Sequence, residues 1–242
     1  MERIQTTVKK RIEWVDIGKY ICIMFVMLSH LESGSDVLDK FYYPFFLTVF
    51  FFLSGYVYRQ LSSFKEHIVK KIKGLFVPWL IFSNFNILLS MVITLKGDRN
   101  FASEFIWNLL QIRGHGDGIW FVAALFVAFI PFYFIIKWNK PKLAVILAFA
   151  LSLASVIYTH LLPEGTFPWG SAALPWHLEY MFQAMLWMVL GYYFKNAVAR
   201  SGSSIEAVFD RLNTTLHRVI LWAVYLIAAY IPNTLFEQIG GE

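Results

Sequence analysis

Charge and cysteine are scarce in this chain. Only 15% of its 242 residues are Asp, Glu, Lys or Arg, against about 25% in a soluble domain, so the chain is too apolar to be solvated all round. One cysteine, Cys22, excludes an intrachain disulfide and a cysteine metal cluster. It falls within an apolar stretch, where helix packing accounts for it. Metal-ligand spacing of the His-Glu-x-x-His kind, a phosphate-cradling Walker loop and a Gly-x-Ser-x-Gly elbow are all missing. There is no internal repeat and no separate soluble domain, so residues 1–242 read as a single transmembrane domain. A cleavable signal peptide is not expected either, because the first apolar stretch is long and carries charges; it should remain as a signal anchor.

Apolar residues are what the chain has in excess. They make up 58% of it, 19% of the residues are aromatic, and the mean hydropathy is +0.56. An integral membrane protein follows, with Trp and Tyr suited to the headgroup level. Taking about 20 apolar residues per span, helices are expected over 13–31, 41–58, 74–95, 118–136, 142–161, 176–194 and 218–236. The fold class is therefore all-α, a polytopic bundle of about seven spans with the lipid bilayer as its surroundings. A net charge of +5 and a pI near 9.2 could suggest nucleic acid, but the basic residues lie in the loops. Sixteen Lys and Arg fall in the N-terminus and alternate loops, against four in the loops between them, with Lys19 inside the first span. By the positive-inside rule the N-terminus is cytoplasmic, which places the chain in a cell inner (plasma) membrane as a multi-pass protein. The second outer loop has room for a short interfacial helix near 102–112, and the inner loop 195–217 for a surface helix.

The first span contains ionisable groups. Asp16, Lys19 and His30 fall within a narrow arc at 100° per residue, and His30 lies about 16 Å beyond Lys19 along the axis. Charges at membrane depth are costly, so an aligned stripe is by default a functional-site hypothesis. The plainer reading is a snorkelling Lys19 with Asp16 as its counter-ion and an interfacial His30. Arg59, Lys70 and Lys73 form a basic inner-loop cluster that could anchor a phosphate-rich cofactor; the positive-inside rule alone also accounts for it. Gly114-His115-Gly-Asp117-Gly leads into Trp120, and His115 and Trp120 are the candidate substrate contacts at the outer face, where a glycine-rich turn is the alternative. His177 and Glu179, at the start of the sixth span, carry the same ambiguity.

In order along the chain, W14-V-D-I-G-K-Y-I-C-I-M-F-V-M-L-S-H30, F51-F-L-S-G-Y56, K70-K-I-K-G-L-F-V-P78, I119-W-F-V-A-A-L125 and L190-G-Y-Y193 resemble the acyltransferase-3 family of membrane acyltransferases, in particular its fucose 4-O-acetylase-like branch. The broad family usually has arginine eleven residues before the histidine, where this chain has Lys19. Family members also carry further spans after the seventh, so a partial member is expected. The resemblance implies transfer of an acetyl or other short acyl group from cytoplasmic acetyl-CoA, with no metal, to a hydroxyl of a cell-envelope carbohydrate. It implies His30 as general base, Lys19 oriented by Asp16 beside the donor or the oxyanion, and Arg59, Lys70 and Lys73 on the CoA phosphates. A small-solute transporter with an Asp–Lys–His relay and an inactive fragment are the alternatives.

Overall fold

The computed structural model describes residues 12–29, 42, 45–94, 101–111, 120–161, 174–202 and 205–227. Those residues are all-helical apart from turns and connections. In order they form α1 (Glu13–Ser29), α2 (Phe46–Tyr56), α3 (Phe64–Lys71), a π-helical turn (Ile72–Phe76), α4 (Val77–Thr94), α5 (Phe101–Leu110), α6 (Trp120–Lys137), α7 (Pro141–Leu161), a 3₁₀ turn (Pro175–His177), α8 (Leu178–Arg200), α9 (Ile205–Leu212) and α10 (Thr215–Tyr225).

Local chemistry sets several of these boundaries. Asn139 takes a left-handed φ of 52° between α6 and α7, a conformation that Asn tolerates better than most residues. Pro141 then opens α7 where its missing N–H costs nothing and its φ is already helical. Thr214 caps α10, its side-chain oxygen accepting from the His217 N–H.

Among the described residues three helices are long and apolar enough to cross a membrane: Phe64–Ile93, Trp120–Lys137 and Pro141–Thr159. The expected spans 13–31, 41–58 and 176–194 are represented by the helices α1, α2 and α8, with α2 only 11 residues long. The expected last span overlaps α10, and residues 228–236 of it lie outside the described residues. The expected interfacial helix and inner surface helix correspond to α5 and α9. The third span begins earlier than its apolar run, because α3 and the π turn continue directly into α4.

Ring contacts give the helix directions. Trp14 meets Tyr56 (centroids 5.0 Å apart) and Phe25 meets Phe45 (5.6 Å), so α1 and α2 are antiparallel. Phe50 pairs with Phe121 (5.5 Å) and Tyr58 with Phe132 (4.8 Å), while Trp120 meets His177 (4.9 Å) and Phe132 meets Tyr192 (6.3 Å). Helices α2, α6 and α8 therefore run in parallel, and α7 returns against them.

The core lies around α6, with Ala124, Ala128 and Phe132 fully buried, together with Ala144 and Ala148 of α7 and Ala184, Met185 and Met188 of α8. Lipid tails offer no hydrophobic drive between helices, so small residues and close packing carry the association. The outward faces are apolar too: Phe82, Phe85 and Val92 on α4 and Ile146 and Phe149 on α7 are each at least 60% exposed, as lipid-facing side chains would be. Polar groups fasten the smaller α5 to α4. Asn108 Nδ2 donates to Ser83 Oγ at 2.9 Å, and Gln111 Nε2 donates to the Asn108 carbonyl and side-chain oxygens at 2.7 and 2.9 Å.

Candidate functional site

The chemistry-bearing residues gather at the two ends of this bundle. At the end where α6 finishes with Lys137, Arg59 lies exposed in the connection after α2, and Lys70 and Lys73 are exposed on α3 and the π turn. Tyr58, adjacent to Arg59, contacts Phe132 of α6, and Phe64 contacts Phe134 at 4.9 Å, which brings both segments to the same end. The π turn has a local cause. Pro78 has no N–H, and its ring would press on the carbonyl four residues earlier, that of Gly74; the Val77 N–H instead closes a wider ring onto the Ile72 carbonyl. Gly74 has open space where a Cβ would stand. Such single π turns often occur at functional sites, and this one carries Lys73.

Lys71 does not join the exposed group. Its Nζ stands 3.3 Å from the centroid of the Phe129 ring and 5.8 Å from that of Tyr58, a cation–π placement. Beside it is His67, only 1% exposed. Its Nε2 is 3.1 Å from the Phe129 carbonyl, and its Nδ1 is 3.3 Å from the Tyr58 hydroxyl. A carbonyl can only accept, so Nε2 carries the proton and Tyr58 donates to Nδ1. None of the sequence motifs singles out His67. Its signal was the helical spacing of Phe64, His67, Ile68 and Lys71, which puts it on the inward face of an amphipathic α3.

On α1, Val15, Cys22 and Val26 form the buried stripe, so Cys22 is a packing residue as expected. Lys19 is partly buried beside them, with its Nζ 5.6 Å from the Phe50 centroid and the Asp16 carboxylate acting on it electrostatically. The structure thus brings Asp16 and Lys19 together. His30, the far end of the expected stripe, and His115 lie outside the described residues.

The opposite end is where α6 begins, α7 finishes and α8 begins. Two consecutive residues there have left-handed backbone: Trp176 (φ 60°, ψ 20°) and His177 (φ 51°, ψ 43°). Neither is glycine, so the elbow is strained by of order 1–3 kcal/mol per residue. It drops the Trp176 ring among Phe76 (5.7 Å), Trp79 (5.5 Å) and Phe126 (6.0 Å). This aromatic nest connects the π turn to the elbow. His177 is buried and paired: its Nδ1 lies 3.3 Å from Oε1 of Glu179, which is 4% exposed. Oε2 of that carboxylate accepts the Leu174 N–H at 2.9 Å. The Glu179 backbone carbonyl accepts from Ser155 Oγ of α7, and one turn on, the buried Tyr158 hydroxyl has no hydrogen-bond partner among the described residues. Trp120, the expected substrate contact, is half-buried and lies 4.9 Å from His177 and 5.3 Å from Tyr180. The sequence leaves His177 and Glu179 open between an outer-face site and a plain turn; the elbow that buries them was not legible, because Trp176 gives no sign of a left-handed conformation.

Among the described residues no cluster of three or more His, Cys, Asp or Glu could hold a metal ion. In comparisons with known proteins, the model of the acyltransferase-3 family, described as an acyltransferase domain, matches residues 12–240. No curated protein and no solved structure matches. The match spans nearly the whole chain, which therefore belongs to the acyltransferase-3 family.

Proposed function

We propose that this membrane acyltransferase moves an acetyl or other short acyl group from cytoplasmic acetyl-CoA to a hydroxyl of a cell-envelope carbohydrate, from a multi-pass position in the inner membrane with its N-terminus in the cytoplasm. Family membership carries the acyltransfer itself. The observation that supports the donor is the exposed group Arg59, Lys70 and Lys73, set around a π turn at one end of the bundle. Exposed Lys and Arg serve as phosphate contacts, and the basic-rich ends are the cytoplasmic ones by the positive-inside rule. The aromatic nest of Phe76, Trp79 and Trp176 ties that turn to the elbow at the other end.

In the reaction, the acceptor hydroxyl oxygen attacks the thioester carbonyl carbon and the carbon–sulfur bond breaks. Sulfur leaves as the thiolate of CoA, and the hydroxyl proton passes to His30 acting as general base. Lys19, oriented by Asp16, holds positive charge beside the acyl donor rather than at the atom that loses its proton to His30. Lysine suits this role as a point charge; it lacks the planar fork needed for bidentate binding.

The donor assignment is tested with Lys70→Ala/Lys73→Ala. Loss of two phosphate contacts should raise the KM for acetyl-CoA by about a hundredfold or more, at about 1.5 kcal/mol or more per charged hydrogen bond. An unchanged KM in folded protein would remove these lysines from the donor site.

A further inference from the structure

We propose that the elbow end of the bundle is a carbohydrate subsite, in which His177 and Tyr158 hydrogen-bond hydroxyls of a sugar ring seated against Trp120. The inference rests on the acyltransferase reading and deepens it by giving the acceptor a place. It starts from the geometry of the Glu179 carboxylate. Both oxygens are engaged, one by His177 Nδ1 and one by the Leu174 N–H, so the carboxylate is held in place and fixes the imidazole. Since the carboxylate accepts, Nδ1 carries the proton and Nε2 presents a lone pair.

Among the described residues Nε2 makes no hydrogen bond and the buried Tyr158 hydroxyl has no partner. Leaving a buried hydroxyl such as that of Tyr158 unpaired costs about 1–3 kcal/mol, and native structures leave few of them without a reason. The Tyr158 hydroxyl stands one turn of α7 beyond Ser155, whose Oγ donates to the Glu179 backbone carbonyl, so it belongs to the same end of the bundle as His177. Trp120 supplies an aromatic face that is only half-buried. The strained backbone at Trp176 and His177 points the same way: the left-handed pair is kept although Pro175 could begin an ordinary helix.

The chemistry of the cluster selects the ligand class. Glu179 disfavours an anion, and one imidazole with one already engaged carboxylate is a poor metal site. An aromatic face beside a hydrogen-bond acceptor and a donor suits a neutral polyhydroxylated ring, whose C–H face packs on the indole while its hydroxyls satisfy the polar groups. Glu179 acts through His177 and is a positioning residue.

The test measures acetyl transfer from labelled acetyl-CoA to octyl glycosides of glucose, galactose and fucose, with acetyl-CoA binding followed separately by equilibrium dialysis. His177→Asn and Glu179→Gln should raise the KM for the glycoside about tenfold or more, and proportionally more than they lower kcat, while the dialysis confirms folded protein. Trp120→Ala, at a half-exposed position, gives the same readout should the buried variants fail to fold. Unchanged KM for the glycoside in Trp120→Ala, or a loss confined to kcat in His177→Asn, would overturn the subsite. A wild type that hydrolyses acetyl-CoA but acetylates none of the glycosides overturns the subsite and leaves the acyltransferase reading standing. One that neither binds nor consumes acetyl-CoA overturns both.

Discussion

Gly55 and Gly191 mark the place where α2 and α8 come backbone to backbone. A Cβ on Gly55 would overlap the Met188 carbonyl, and one on Gly191 the Phe52 carbonyl. Backbone cannot swing aside as a flexible side chain can, so Gly55→Ala and Gly191→Ala should each destabilise the protein by about 1–3 kcal/mol or more, measured as thermal unfolding in detergent. Gly74 is the control. Its Cβ would meet nothing within 4 Å, and exchanging Gly for Ala favours a helix by up to about 1 kcal/mol, so Gly74→Ala should leave the unfolding temperature equal or higher. Both glycines stand in short motifs of the sequence, Gly55 in F51-F-L-S-G-Y56 and Gly191 in L190-G-Y-Y193. Close approach is a property of two segments at once, and each glycine taken singly tells only half of it. Buried His67 is comparable: its helical spacing with Phe64, Ile68 and Lys71 marks an inward face, but not that Tyr58, Lys71 and the Phe129 carbonyl converge on it.

Among the elements, the π turn is the one whose shape bears most directly on function. It exists because Pro78 withholds an N–H and pushes on the Gly74 carbonyl, and it sets the angle at which Lys73 leaves the helix. Pro78→Ala restores the missing donor and should relax Ile72–Phe76 toward a regular α-helix. Lys73 would then rotate relative to Lys70, with a several-fold rise in the KM for acetyl-CoA and little change in kcat. An unaltered KM would mean that the two lysines do not act together on the donor. Long apolar helices such as α6 and α7 were legible because hydropathy and length suffice to specify them. The π turn and the Trp176–His177 elbow were not, since both depend on steric conflicts that periodicity does not register.

Across the molecule, parallel α2, α6 and α8 alternating with antiparallel α1 and α7 place Arg59, Lys137 and Arg200 at one end. In the proposed topology that end faces the cytoplasm. With Cys22 replaced, single cysteines at Lys140 and Ser201 should resist a membrane-impermeant thiol reagent in intact cells, and one at Asp98 should react. Reversed labelling would invert the topology and remove the cytoplasmic donor site with it.

The central claim, acyl transfer from acetyl-CoA with its base in the first span, is tested most directly by incubating membranes containing this chain with radiolabelled acetyl-CoA, wild type beside His30→Ala. Label should move to glycan or lipid-linked sugar in the wild type and fall by about 10²–10⁴-fold in His30→Ala, the contribution of a general base. Folded wild-type protein that neither binds nor consumes acetyl-CoA, or a His30→Ala variant as active as the wild type, would contradict it.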